Sequence, residues 1–193
     1  LAGTIVLMET ARLVAQAAQR GERPARTIVF AAWGAEEFGI IGSTEWVEAN
    51  RDRLLNDCVA YINLDMAAMG DNFQASASPV LRKAVAQALL PVAQSGAEDA
   101  TLADTWAGGE DGPSFGDLGG GSDHVGFVCH VGVPSIRLGA GGAAGVVYHS
   151  NYDNLNWYRT IVGDDYASAL MVTRATSRVV GMLADSYYPP YDW

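Results

Sequence analysis

Residues 27–39 read TIVFAAWGAEEFG, seven apolar or β-favouring residues that run straight into a glycine and two adjacent glutamates. Polar and apolar residues do not alternate in this run. A continuous apolar run rich in β-branched residues predicts a strand covered by helices on both faces, and therefore a parallel sheet. The residues before it agree. TIVLMETARLVAQAAQ (4–19) places apolar side chains at helical spacing, and Gly21 and Pro24 supply a stop.

The same alternation continues along the chain. Helices are expected near 43–50, 79–90, 122–130 and 160–184, and strands near 58–64 (CVAYINL) and Pro134 to Leu138. Between them lie a glycine-rich stretch from Gly108 to Gly121 and the loop GAGGAAG before Tyr148 and His149. Helix and strand in turn predict an α/β layered sheet. A first crossover helix is expected to connect an earlier strand, so further strands are expected upstream of residue 1. The closing YYPPYDW (187–193) reads as an exit linker after the domain at 1–186.

At 193 residues and 49% hydrophobic content, the chain suits one domain with one sizeable core. A formal net charge of -10 opposes binding to nucleic acid or to an anionic membrane surface. No run reaches the roughly 20 apolar residues of a spanning helix. Cys58 and Cys129 lack the pattern of a disulfide framework and are expected to be buried thiols.

Glu36 and Glu37 follow the strand expected at 27–33, where open α/β sheets gather their reactive groups. Two adjacent carboxylates are costly unless a cation or a shared proton compensates. A metal on one glutamate, with the other free to take a proton from the attacking water, meets that cost. A solvated helix start is the alternative, because acids suit the helix dipole there. Asp65 ends the strand YINLD and reads either as a ligand or as a cap. His149 stands in YHSNYDN, and a neutral imidazole is a common zinc ligand. Of the other two histidines, His124 has a supporting or substrate-side reading and His130 that of a helix-end residue. The joint occurrence of a Glu-Glu pair, an aspartate and a histidine at successive strand ends favours a metal site.

The run FAAWGAEEFGIIGSTEW (30–46) closely resembles the signature of the zinc aminopeptidase and glutamate carboxypeptidase family. YINLD (61–65), GSD (121–123) and YHSNYDN (148–154) match its later motifs in the same order, and GSTEW with the closing PPYD resembles the glutamate-carboxypeptidase-like branch. The resemblance implies a three-layer α-β-α sandwich with a mostly parallel mixed sheet, the zinc-exopeptidase (phosphorylase/hydrolase-like) fold, with its N-terminal strands missing. It implies two zinc ions per complete site and a peptide substrate. Glu36 matches the general base, Glu37 and His149 the ligands of one zinc, Asp65 a ligand of the other, and Tyr148 a stabiliser of the oxyanion. Asp123 and Arg137 fall at substrate-side positions; for Arg137 a pairing with a surface acid is the alternative.

The family's pattern also has an upstream histidine and a bridging aspartate, and this sequence has neither. The chain therefore reads as the C-terminal part of a peptidase domain, with very weak or absent zinc binding and no activity by itself. In the whole protein the resemblance implies a protease-associated domain upstream, a helical dimerisation domain downstream, homodimers, and a periplasmic or secreted location. Two other readings stand beside it: a non-catalytic transferrin-receptor-like binding or dimerisation module, and a single-zinc acyl-transfer enzyme resembling glutaminyl cyclases.

Overall fold

A computed structural model describes residues 2–145 and 147–192 of the chain. The chain opens on helix α1 (Ala2–Gln19), and a single 3-10 turn (Glu36–Phe38) precedes α2 (Ile41–Ala49) and α3 (Arg51–Asp57). Strand β1 (Tyr61–Asn63), β2 (Asn72–Ala77), α4 (Arg82–Leu89) and β3 (Phe115–Gly116) follow. The last elements are α5 (His124–Val131), β4 (Ser135–Gly141), α6 (Leu155–Ile161) and α7 (Ala167–Asp185).

The four strands form one sheet in the order β1-β4-β2-β3. β1 pairs parallel to β4 with Tyr61 opposite Ser135, β2 pairs antiparallel to β4 with Ala75 opposite Leu138, and β2 pairs parallel to β3. Helices α1, α4 and α7 pack on one face, α2 and α5 on the other. This is the expected three-layer α/β sandwich with a mixed sheet.

The larger core lies under α7. Its buried residues Met171, Val172, Ala175, Val179 and Leu183 recur at helical spacing and meet Ile136 and Leu138 of β4, Val85 and Leu89 of α4, and Val6 of α1. Each such side chain, fully buried, contributes about 1.5–3 kcal/mol. The second core joins Val47, Leu54, Phe127, Val131 and Val133 to the rings of Trp33, Trp46 and Tyr61.

Three expectations are corrected. Residues 27–33 are in no ladder, although exposed and half-buried side chains alternate over 27–30, with Val29 60% exposed. Side-chain pattern sets which faces want burial, but a strand exists only where its backbone groups find a neighbour. The segment approaches the free edge of β1 through a side-chain bond, from Trp33 Nε1 to the Tyr61 hydroxyl at 3.0 Å. Cys129 is exposed and Cys58 half-buried, because the buried face of α5 is His124, Gly126, Phe127 and Val131 and Cys129 lies off it. The helix expected over 160–184 is two helices: Gly163 (φ 133) and Tyr166 (φ 55) break it, and Asp165 Oδ1 accepts from Ala167 N to start α7. β2 and β3 were not expected.

The closing segment is held to the body. Tyr191 packs on the larger core and donates its hydroxyl to Val59 O, and Asp192 N donates to Val80 O.

Candidate metal centre

The Glu36-Glu37 pair sits on the 3-10 turn, and two features of the sequence hold it in place. Ala35 takes a left-handed backbone (φ 55, ψ 32), which reverses the chain ahead of Glu36. Gly42 lets α2 close on the preceding loop: a Cβ there would meet Gly34 O at 2.1 Å. Asp65 lies beyond β1, where the next residue, Met66, is also left-handed (φ 49), and His149 itself has φ 54. Counting Ile40 (φ 59), four of the six described non-glycine residues with positive φ flank or form this region. Each such position costs on the order of 1–3 kcal/mol, and such strain gathers at functional sites.

The side chains converge accordingly. His149 Nε2 meets Glu37 Oε1 at 2.5 Å, and the Tyr148 ring stacks on the His149 ring at 3.6 Å. Partial desolvation holds the Glu36 carboxyl above the usual glutamate range, and the negative charges of Asp123, Glu37 and Asp65 add to the rise while His149 opposes it. The Tyr148 hydroxyl is pushed up by desolvation and by Glu37, Asp65 and Glu36. Asp123, half-buried, is raised by desolvation against the opposing hydrogen bond it accepts from Ser43 Oγ at 2.6 Å. The charges of Asp123, Glu37 and Asp65 thus all reach Glu36, and of these carboxylates Glu37 is the one in contact with the imidazole.

That donor set suits a zinc ion in kind. A carboxylate oxygen and an imidazole nitrogen are zinc donors, and a divalent cation relieves the mutual repulsion of the carboxylates. Glu37 and His149 are already in contact, whereas Asp65 stands apart from that pair. Among the described residues no group of three or more His, Cys, Asp or Glu side chains is arranged around one ion position. Beside Asp65, a cleft of about 170 Å³ is lined by Arg137, Gln74, Ser76 and Gly139. Among the described residues Arg137 has no salt bridge, so no surface acid pairs with it.

The rival histidines lie elsewhere. His124 is 2% exposed, with Nε2 3.1 Å from Gly119 O and Nδ1 without a partner. His130, in the last turn of α5, reaches Glu48 at 3.6 Å. Sequence reasoning singled out neither Ser43 nor Ser122. Both bond directly to candidate site carboxylates, and both stand inside quoted motifs, GSTEW and GSD.

Asp65 follows β1 and His149 follows β4, so both stand beyond the carboxyl ends of two parallel strands, where open α/β sheets gather their reactive groups. The chain belongs to Peptidase family M28, whose model matches residues 2–161. A probable glutamate carboxypeptidase, LAMP1 of Arabidopsis thaliana, is 38% identical over 192 residues, covering 99% of this chain and 28% of its own length. A probable glutamate carboxypeptidase of Arthroderma benhamiae is 40% identical over 82% of this chain and 22% of its own. Aminopeptidase NAALADL1 of Mus musculus is 31% identical over 97% of this chain and 28% of its own. The chain thus spans about a quarter of the length of these relatives. The solved aminopeptidase from Aneurinibacillus sp. strain AM-1 shares the fold, with a TM-score of 0.50 at 21% identity over 80% of this chain and 32% of that one. Among the described residues no helix is long and apolar enough to cross a membrane.

Proposed function

We propose that the chain carries the larger part of a di-zinc exopeptidase site that hydrolyses peptide bonds next to a chain end. The observation that supports it most is the contact of Glu37 with His149 at 2.5 Å, beside a Glu36 whose proton affinity is raised. In this reading Glu37 and His149 hold one zinc and Asp65 contributes to the other. When bound, zinc supplies Lewis acidity toward the scissile carbonyl and makes the attacking water more acidic. Glu36 accepts the proton of that water and returns it to the leaving amine. A carboxyl that holds its proton more tightly is a stronger base for the first transfer than an ordinary glutamate. The Tyr148 hydroxyl, whose hold on its proton is strengthened by desolvation and by the carboxylates around it, donates to the developing oxyanion. Arg137, which lines the cleft beside Asp65, receives a substrate carboxylate, and Asp123 is a further substrate-side residue.

Zinc fills four positions, and Glu37 with His149 fill two of them. The 193 residues by themselves therefore hold zinc weakly and turn over no substrate. The test compares zinc content and hydrolysis of amino-acid anilides and acidic dipeptides between this chain and a polypeptide extended upstream. Two zinc ions and turnover in the longer protein, with Glu36→Gln lowering kcat roughly 10²–10⁴-fold at unchanged zinc content, is the expected result. A longer protein without zinc or turnover would refute the reading.

A further inference from the structure

Four hydrogen bonds connect the aromatic cluster beneath the Glu36 turn to Asp65. Trp33 Nε1 donates to the Tyr61 hydroxyl at 3.0 Å, and that hydroxyl donates to Asn63 Oδ1 at 3.1 Å. Asn63 Nδ2 donates to Ser122 Oγ at 2.9 Å, and Ser122 Oγ donates to Asp65 Oδ2 at 2.9 Å. Every link runs the same way, and the last acceptor is a carboxylate.

This direction is fixed by what each group can do. An indole N–H only donates, so the Tyr61 hydroxyl must pass its own proton onward. Asn63 then accepts on Oδ1, which turns Nδ2 toward Ser122. With its oxygen already accepting, Ser122 has one proton and one remaining partner, Asp65. A reversed Asn63 amide would set Nδ2 against the Tyr61 proton and draw the Ser122 proton away from Asp65.

The chain is also rigid. Asn63 is 2% and Ser122 4% exposed, and the Tyr61 ring stacks on Phe127 at 3.9 Å and 8°. Hydrogen bonds out of water polarise one another, so the chain strengthens toward its anionic end. Among the described residues Asp65 accepts no other hydrogen bond.

We propose that Ser122, oriented by Trp33, Tyr61 and Asn63, is a positioning residue that engages Oδ2 of Asp65 and leaves Oδ1 as the oxygen presented to the site. The functional value of this arrangement rests on the reading of Asp65 as a zinc ligand. A carboxylate fixed through one oxygen offers the other in one direction, so an arriving cation need not order it.

The experiment is NMR on the isotope-labelled 193-residue chain, reading the χ1 couplings of Asp65 and the indole N–H of Trp33. In the wild type Asp65 shows one staggered rotamer. Ser122→Ala loses that pattern to averaging and shifts the Trp33 indole signal, while Ser122→Thr, which keeps the hydroxyl, restores both. Should Ser122→Ala fail to fold, Tyr61→Phe reads the same chain from its other end and is expected to loosen Asp65 likewise. An Asp65 that averages in the wild type, or keeps its single rotamer in Ser122→Ala or in Tyr61→Phe, overturns the proposal. Zinc added to the wild-type sample tests the underlying reading separately. Shifts at Glu37, Asp65 and His149 support it, and Ser122→Ala then needs roughly 10–100-fold more zinc to move the Asp65 signals. No shifts in excess zinc overturn the zinc reading, while the couplings still decide whether Ser122 positions Asp65.

Discussion

Gly42 is where packing and the site meet, and Gly42→Ala separates two opposing effects. In an exposed helix, replacing glycine by alanine gains up to about 1 kcal/mol. Here the new Cβ would meet Gly34 O at 2.1 Å and Gly34 N and C at 3.1 Å. Ordinary contact is roughly 3.5 Å, so the loop or α2 must move by more than about 1 Å. Overpacking against backbone at that depth lies at the upper end of the usual range, about 2–3 kcal/mol, leaving a net loss of about 1–2 kcal/mol once a helix gain of up to about 1 kcal/mol is counted. For a chain of this length the midpoint falls by about 2–8 °C. Because Gly34 stands two residues before Glu36, the same shift separates Glu37 from His149. Gly181 in α7 is the matched control, since a Cβ there meets nothing within 4 Å. Gly181→Ala gains about 0.5–1 kcal/mol and raises the midpoint. Thermal and urea unfolding of both variants measure the difference. A Gly42→Ala protein as stable as wild type, or shifted upward like Gly181→Ala, refutes the close-approach argument.

Arg26→Ala removes the guanidinium that donates to Leu183 O at 2.7 Å, Ser186 O at 2.6 Å and Tyr187 O at 3.3 Å, where α7 ends. A loss of about 1.5–3 kcal/mol is expected, with hydrogen exchange faster at 182–186 than elsewhere; a change spread evenly over the chain would count against this capping role. Asp123→Asn tests the burial of a carboxylate. The folded pKa of Asp123 is raised, so the folded state holds that proton more tightly, and wild-type stability falls as pH rises from the ordinary aspartate range through the raised value. Urea unfolding across that window should show this fall in the wild type and a flatter profile in Asp123→Asn, since an amide does not titrate; parallel profiles would mean that desolvation of Asp123 is not the cause.

The layers were legible because the long helices and β4 carry strong patterns. α7 recurs at helical spacing over five turns, and IRL in the middle of β4 follows a turn signal at Gly132 and Pro134. β2 was missed because its inward residues, Phe73, Ala75 and Ala77, include two alanines. Alanine is a poor marker of a strand face, although the alternation with Asn72, Gln74 and Ser76 is complete. β3 is two residues long and exists only because β2 lies beside it. The segment 27–33 shows the converse. Its side chains spell a buried strand, yet ladder bonds need a partner that no side chain encodes. At the site, residue types at strand ends were readable, but the contact of Glu37 with His149 joins positions 112 residues apart and depends on the left-handed turns at Ala35 and His149.

Ala35, Ile40 and Met66 are not residues that favour a left-handed backbone, His149 tolerates it better, and glycine at any of the four would relieve strain. Beside them, desolvation and three neighbouring carboxylates raise Glu36, so charge repulsion adds to backbone strain in the same few residues. Elsewhere in the described chain, local preference and packing agree: apolar faces meet the sheet, Asn154 caps α6 through Asn156 N and Trp157 N, and Asp165 starts α7. The two other described non-glycine residues with positive φ, Asp99 and Tyr166, stand singly in turns, whereas four gather around these carboxylates, and local rules broken together mark positions chosen for what the side chains do. A cation among these carboxylates would remove the repulsion and leave the backbone strain as the remaining cost of holding Glu36, Glu37 and His149 in one volume.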